Sequence, residues 1–281
     1  MSDFLGPPPR AVRLPLRPAL VLGVASLLGI AMFCWPLFAH PQPSGAAHTT
    51  DAPFVFMATL PVLILVVLAE LSRGGIDAKA LALLGVLSAV NAGLRPLGAG
   101  TGGIELVFFL LVLAGRVFGP GFGFVLGSTS LFTSALLTAG VGPWLPFQML
   151  ASSLIGLGAG LLPRKPRGKA EITMLVVYGV VAAYFFGLLM SLWTWPFLAG
   201  SSFSGSHEGL GFVPGAPLLD NLHRFAVFTV LTSTLGWDTG RAITNAVAIL
   251  LLGPAVLAVL RRAARRAAFD APAVFDQTSA S

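Results

Sequence analysis

The chain has 281 residues, of which 56% are apolar and only 10% charged, with a mean hydropathy of +0.87. Soluble globular domains carry about 25% charged residues, so this composition excludes a water-soluble fold, and the long apolar runs exclude a disordered or collagen-like chain. The net charge of +6 does not mark a nucleic-acid partner, because the basic residues stand in short clusters between apolar runs.

The first run, Pro18–Ala39, follows Arg10, Arg13 and Arg17. As a helix it would reach about 33 Å, enough to cross a bilayer. It is too long for the apolar region of a secretory signal and is followed by no clear small-x-small cleavage site, so it reads as a retained span. Cys34, the only cysteine, lies within it, which rules out an intramolecular disulfide and a cysteine metal site. Further spans are predicted over Phe54–Leu71, Ala78–Leu94, Ile104–Phe118, Phe122–Ala139, Trp144–Leu162, Ala170–Leu198 and Arg241–Leu260. Gly119-Pro120-Gly121 marks a tight hinge between two of them.

Eight spans place both termini on one side, and all but three of the 17 Lys and Arg residues fall there. The exceptions are Arg95, Arg224 and Arg241, so the positive-inside rule predicts cytoplasmic termini in a plasma membrane. Were Leu222–Leu235 also to span, the Arg-rich C-terminus would lie outside. This weaker apolar segment is therefore read as a half-helix or an outer-surface helix. The tail beyond Ala267 is small and polar.

Chemistry-bearing motifs are sparse. There is no phosphate loop for ATP hydrolysis, and His40, His48, His207 and His223 show no metal-ligand spacing. Gly200-Ser201-Ser202 is loosely similar to an intramembrane serine nucleophile but lies in a predicted loop. The acidic residues form no pair suited to general acid–base work. The expectation is a protein with no enzymatic activity, no metal and no cofactor.

Polarity within the spans gathers at their predicted outer ends. Asn91 and Arg95 share one helix face, and Glu105 opens the next span after a loop rich in Gly and Ala. An Arg95–Glu105 pair across that loop is either a structural closure or part of a ligand site. Asp238, Arg241 and Asn245 share a face of the last span, with Trp193, Trp195 and Trp237 at similar depth. Trp144 and Gln148 are four residues apart, and an amide within an apolar span is costly unless used. Ser128, Thr129, Ser130, Thr133 and Ser134 mostly serve close helix packing. Ala78, Ala82, Gly85, Ala89 and Gly93 form a stripe of small residues, for internal packing or for docking a separate subunit.

Three stretches, covering about two-thirds of the chain from Ala78 to Arg262, carry a family resemblance: residues 94–105; residues 119–130 continuing through Gly142–Gln148 to Gly156–Gly160; and residues 232–245. In order and spacing these resemble the S components of energy-coupling factor (ECF) transporters, the substrate-capturing membrane subunits for vitamins. The resemblance implies a six-helix core over residues 78–262, with a loop at Arg95–Gly103 that closes over substrate from outside. It implies docking on a transmembrane coupling (T) subunit through the small-residue stripe, energy from two ATPase subunits, and toppling in the membrane to deliver substrate.

Residues 18–77 would then be two extra spans, residues 1–17 a cytoplasmic segment and residues 263–281 a cytoplasmic tail. The expected fold is thus an all-α polytopic membrane protein, a six-helix S-component-like core plus two extra N-terminal helices. The expected substrate contacts are Asn91, Gln148 and Asn245 as hydrogen-bonding groups and Trp144 and Trp195 as packing surfaces. Arg95, Thr101 and Glu105 would shape the gate, and Asp238 with Arg241 would order the outer wall. The pattern looks most like the cobalamin branch, with riboflavin or another vitamin as alternatives. Other classes are a secondary carrier, for which no inverted repeat is visible, an intramembrane enzyme, and an assembly scaffold.

Overall fold

A computed structural model describes residues 16–34, 78–98, 102–195, 209–213 and 215–267, with Leu65 and Ala69 as isolated helical positions. All regular structure among them is helical. Among the described residues eight α-helices follow in order: α1 (Leu16–Phe33), α2 (Ala78–Leu94), α3 (Val107–Phe118), α4 (Pro120–Leu137), α5 (Leu145–Leu161), α6 (Lys169–Thr194), α7 (Leu218–Thr229) and α8 (Thr239–Ala267). A 3-10 turn, Arg95–Leu97, follows α2, and a π-helical stretch, Val230–Asp238, joins α7 to α8. Among the described residues, five helical segments are long and apolar enough to cross a membrane. In a bilayer every backbone group must be satisfied internally, which the helix provides and an open strand does not. The protein is an all-α polytopic membrane protein.

The helices fall close to the predicted spans, with two departures. The segment Leu222–Leu235 is neither a separate half-helix nor a detached surface helix. It runs without a break through the π stretch into α8, as one helical segment over Leu218–Arg265. Ile104–Leu106 precede α3 as irregular chain and are not part of its helix. The predicted span Phe54–Leu71 lies outside the described residues apart from Leu65 and Ala69, as do Thr101, Ser201, Ser202, His207 and the tail beyond Ala267.

Helices α3, α4 and α5 form the centre. Residues Val107–Gly115 of α3 are all buried, and so is most of α4. In lipid no hydrophobic force drives helices together, so association depends on close fit. Gly123 and Gly156 supply it: a Cβ on either would strike the other's backbone, so α4 and α5 meet backbone to backbone. Gly119, at φ 103°, takes the positive-φ turn that α3 needs to reverse into α4, and Pro120 starts the new helix without a lost N–H.

Hydroxyls tie the seams, as expected of small polar residues in a span. Ser128 Oγ and Ser153 Oγ lie 2.6 Å apart across α4–α5, and Ser88 Oγ and Thr129 Oγ1 lie 2.7 Å apart across α2–α4. Large apolar side chains such as Leu251 and Val181 point outward, suited to lipid contact.

Candidate functional site

One end of the bundle carries a connected chain of buried and half-buried polar side chains. The 3-10 turn after α2 places Arg95 so that its Nη2 donates to Gln148 Oε1 on α5, at 3.0 Å. Arg95 Nε lies 4.0 Å from Glu105 Oε1. Glu105 has a closer partner: Arg241 Nε, on α8, donates to its Oε2 at 2.7 Å. Arg241 Nη1 donates to Asp238 Oδ1 at 2.8 Å, and Ser233 Oγ donates to Asp238 Oδ2 at 2.9 Å. Two guanidinium groups and two carboxylates are thus joined across α2, the segment before α3, α5, the π stretch and α8. Each charge offsets part of the cost of carrying its partner into an apolar bundle.

The chain is held from below and from the side. The Arg241 guanidinium sits over the rings of Phe186, 4.9 Å from centroid, and Phe108, 5.6 Å away. Such cation–π contacts gain strength where water is excluded. Asp238 lies against Gly187 of α6, where any Cβ would overlap its carboxylate. Gly103 lies against the Trp237 carbonyl and Gly240 against the Gly102 carbonyl, so the loop after α2 is seated directly on the π stretch and the first turn of α8. Widening of a helix to π geometry is common where a helix is shaped for function.

Five expected residues, Arg95, Glu105, Gln148, Asp238 and Arg241, therefore meet in one chain. Asn245 adjoins it, with its Nδ2 donating to the Arg241 carbonyl at 2.8 Å. Asn91 stands in the α2–α4 seam, where its Nδ2 donates to Ser130 Oγ at 3.1 Å. Both asparagines are fully buried, and the side-chain carbonyl oxygen of each has no hydrogen-bond partner among the described residues. Buried acceptors are nearly always satisfied, so two idle amide oxygens are notable.

The two expected tryptophans stand apart from the chain. Trp144, just before α5, is 40% exposed and turns its indole toward Gly142. Trp195 is fully buried in a separate cluster with Leu192, Phe212, Phe225 and Phe228, and its Nε1 donates to the Leu210 carbonyl at 2.9 Å. It fastens the segment 209–213 to α6 and α7. Thr101 lies outside the described residues.

The stripe of small residues resolves differently. On α2 the buried positions are Ala80, Leu84, Ser88, Asn91 and Ala92, whereas Ala82, Gly85, Ala89 and Gly93 are exposed. Ala78 begins the helix. Nothing described lies within 4 Å of a Cβ built on Gly85 or Gly93. Among the described residues the stripe from Ala82 to Gly93 is an outward face rather than an internal seam.

Sequence reasoning missed Ser233, Gly187, Phe108 and Phe186 around the chain. Ser233 and Asp238 are five apart, a spacing that meets only on a π turn, and the aromatic floor under Arg241 comes from helices distant in sequence. It also missed an ion cluster at the far end. There Arg116 Nε donates to Glu171 Oε1 at 2.8 Å, and Arg261 Nη2 contacts both Glu171 oxygens at 2.7 Å.

Comparison with curated proteins and with solved structures gives no match. Residues 79–260 match the family model for the ECF transporter substrate-specific component. This interval takes in nearly all of α2 through α8, the whole polar chain and the stripe from Ala82 to Gly93, and so the chain belongs to the family of substrate-specific membrane subunits of ECF transporters.

Proposed function

We propose that the protein captures a vitamin at the end of the bundle carrying the Arg95–Glu105–Arg241–Asp238 chain and delivers it inward together with a T subunit and two ATPase subunits. The observation that carries this reading is the polar chain itself: a connected set of charges, seated under the loop after α2, at one end of an otherwise apolar bundle. The idle amide oxygens of Asn91 and Asn245 support a ligand that brings hydrogen-bond donors, with Gln148 and Arg95 as further contacts. The distribution of Lys and Arg supports an outward-facing site and cytoplasmic termini.

Cobalamin is the substrate we favour, since its amide-bearing periphery offers donors of this kind; riboflavin is the alternative. The test is the visible spectrum of the detergent-purified protein after incubation with cyanocobalamin and desalting. Retained stoichiometric corrin absorbance is the expected outcome. A featureless spectrum would remove cobalamin, and mass spectrometry of small molecules extracted with the protein would then search for riboflavin and other vitamins.

Docking on the T subunit is proposed to use Ala78, Ala82, Gly85, Ala89 and Gly93; the outward face of the last four lets another helix approach closely. Gly85→Leu would raise a knob on that face without touching the bundle. We expect it to abolish co-purification with the T and ATPase subunits while ligand affinity stays at the wild-type value. Retained co-purification would move the docking face elsewhere.

A further inference from the structure

Helix α1 lies outside the family match, which begins at residue 79. It is nonetheless fitted to the matched unit. Phe33 is fully buried, with its ring 5.2 Å from that of Phe147 on α5 at an interplanar angle of 70°. Phe147 in turn lies 5.3 Å from Trp193 on α6. One helical turn back, Gly29 presses on the Leu150 side chain so closely that a Cβ there would overlap it. Leu22, Ala25 and Ser26 complete the buried face, and Ser26 satisfies its hydroxyl on its own helix at the Leu22 carbonyl, so it asks nothing of its neighbours. The opposite face, with Leu20, Val24 and Leu27, is exposed.

In lipid, an aromatic side chain gains little by leaving the hydrocarbon for a protein interior, so a buried Phe beside a close-packed Gly marks a specific seat rather than a chance contact. The seat is on the part of α5 that matters: Phe147 and Leu150 bracket Gln148, whose Oε1 accepts from Arg95. A helix that fixes Phe147 and Leu150 fixes the rotation of α5 at this end, and with it the reach of Gln148 toward Arg95.

We propose that α1 is a buttress for the substrate site, and that Phe33 is a positioning residue acting through Phe147 on Gln148 and Arg95. The functional consequence rests on the reading of the polar chain as the substrate site; the mechanical coupling from α1 to α5 does not.

The test is backbone amide exchange of the full-length, ligand-free protein, comparing residues 145–150 and 95–98 with residues 116–118 at the far end of α3. In Phe33→Ala, exchange at 145–150 and 95–98 should rise by up to about tenfold, the effect of losing one aromatic pair, while 116–118 stay at the wild-type rate. Gly29→Leu, which lifts α1 off Leu150, should do the same. Phe33→Leu should largely restore protection, and Leu27→Ala on the exposed face should leave every rate unchanged.

Unchanged exchange at 145–150 in Phe33→Ala, or an equal rise at 116–118, would overturn the proposal. Should Phe33→Ala fail to fold, the comparison between Gly29→Leu and Leu27→Ala decides by the same criterion. Dissociation of cyanocobalamin should accelerate in the same variants that lose protection. If the wild-type protein retains no cyanocobalamin, the substrate reading fails while the exchange comparison still decides the role of α1.

Discussion

The two ends of the bundle solve the same problem, charge within an apolar protein, in different ways. At the Arg116 end, one carboxylate serves two cations. Glu171 is only 4% exposed, takes Arg261 on both oxygens, and receives Arg116, whose Nη1 also donates to the Leu162 and Pro163 carbonyls at 3.2 and 2.7 Å. This is a closed knot that staples α3, the end of α5, α6 and α8. At the Arg95 end the charges form an open line in which each is held by a neighbour on a different segment. Arg95 and Glu105, its most accessible members, retain about a fifth of their side-chain surface. A knot with both carboxylate oxygens engaged resists change. A line with a long 4.0 Å link and the idle amide oxygen of Asn245 beside it can exchange a protein contact for a ligand contact at little cost.

The comparison predicts that breaking the knot costs fold and breaking the line costs function. The largest effect is expected from Glu171→Ala, which strands Arg116 within the bundle. Removing one partner of a buried pair costs about 3 kcal/mol or more, so the thermal midpoint should fall steeply while the folded fraction binds ligand with unchanged affinity. Affinity that falls in step with stability would show that the two ends are not separable.

Arg241→Ala comes next. It leaves Asp238 buried without its cation and Glu105 without its close partner, at a cost of about 3 kcal/mol, and here ligand binding should be lost as well. Arg241→Lys should not restore it, because a lysine lacks the fixed fork by which Arg241 serves two carboxylates while sitting over Phe186. Full binding by the lysine variant would reduce Arg241 to a simple counter-charge.

Gly187→Ala should be milder. The added methyl overlaps the Asp238 carboxylate, and overpacking of this kind costs about 1–3 kcal/mol. Because the push falls on Asp238, ligand affinity should drop more than the thermal midpoint suggests. A variant that is destabilised but binds normally would show that Asp238 adjusts without consequence for the site.

What the sequence revealed follows from the kind of physics involved. Span positions were legible because hydropathy is a local sum, and the face shared by Asp238 and Arg241 because helical spacing is fixed. The partner of Glu105 was not: the near charge in sequence, Arg95, lies at 4.0 Å, while the close one, Arg241, is 136 residues away. The break expected before the last span was misplaced because a π stretch keeps a segment helical through Gly236, where composition suggests an interruption. The partner of the Trp195 indole N–H, the Leu210 carbonyl, was not legible either, because no periodicity encodes a contact between segments. The outward turn of the small stripe on α2 could not be told from an inward one, since small residues favour close approach from either side.

The smallest effect on stability, and the sharpest separation of line from knot, should come from Gln148→Ala. The variant removes the acceptor from Arg95 but strands no charge, because Glu105 is already within 4.0 Å and Arg95 can swing toward it. A net loss of about 1 kcal/mol or less is expected, the ordinary worth of one hydrogen bond. Ligand affinity should nevertheless fall, for two reasons that act together: the amide is one of the proposed contacts, and Arg95 moves away from α5. Gln148→Glu separates these. It keeps Arg95 in place through a stronger charged contact but withdraws the amide donor and adds a negative charge to the line. If binding is lost in both variants, the amide itself is the contact. If Gln148→Glu binds and Gln148→Ala does not, the position of Arg95 is what the ligand reads. Unchanged affinity in both would place the site away from the α2–α5 junction, toward Asn245 and the π stretch.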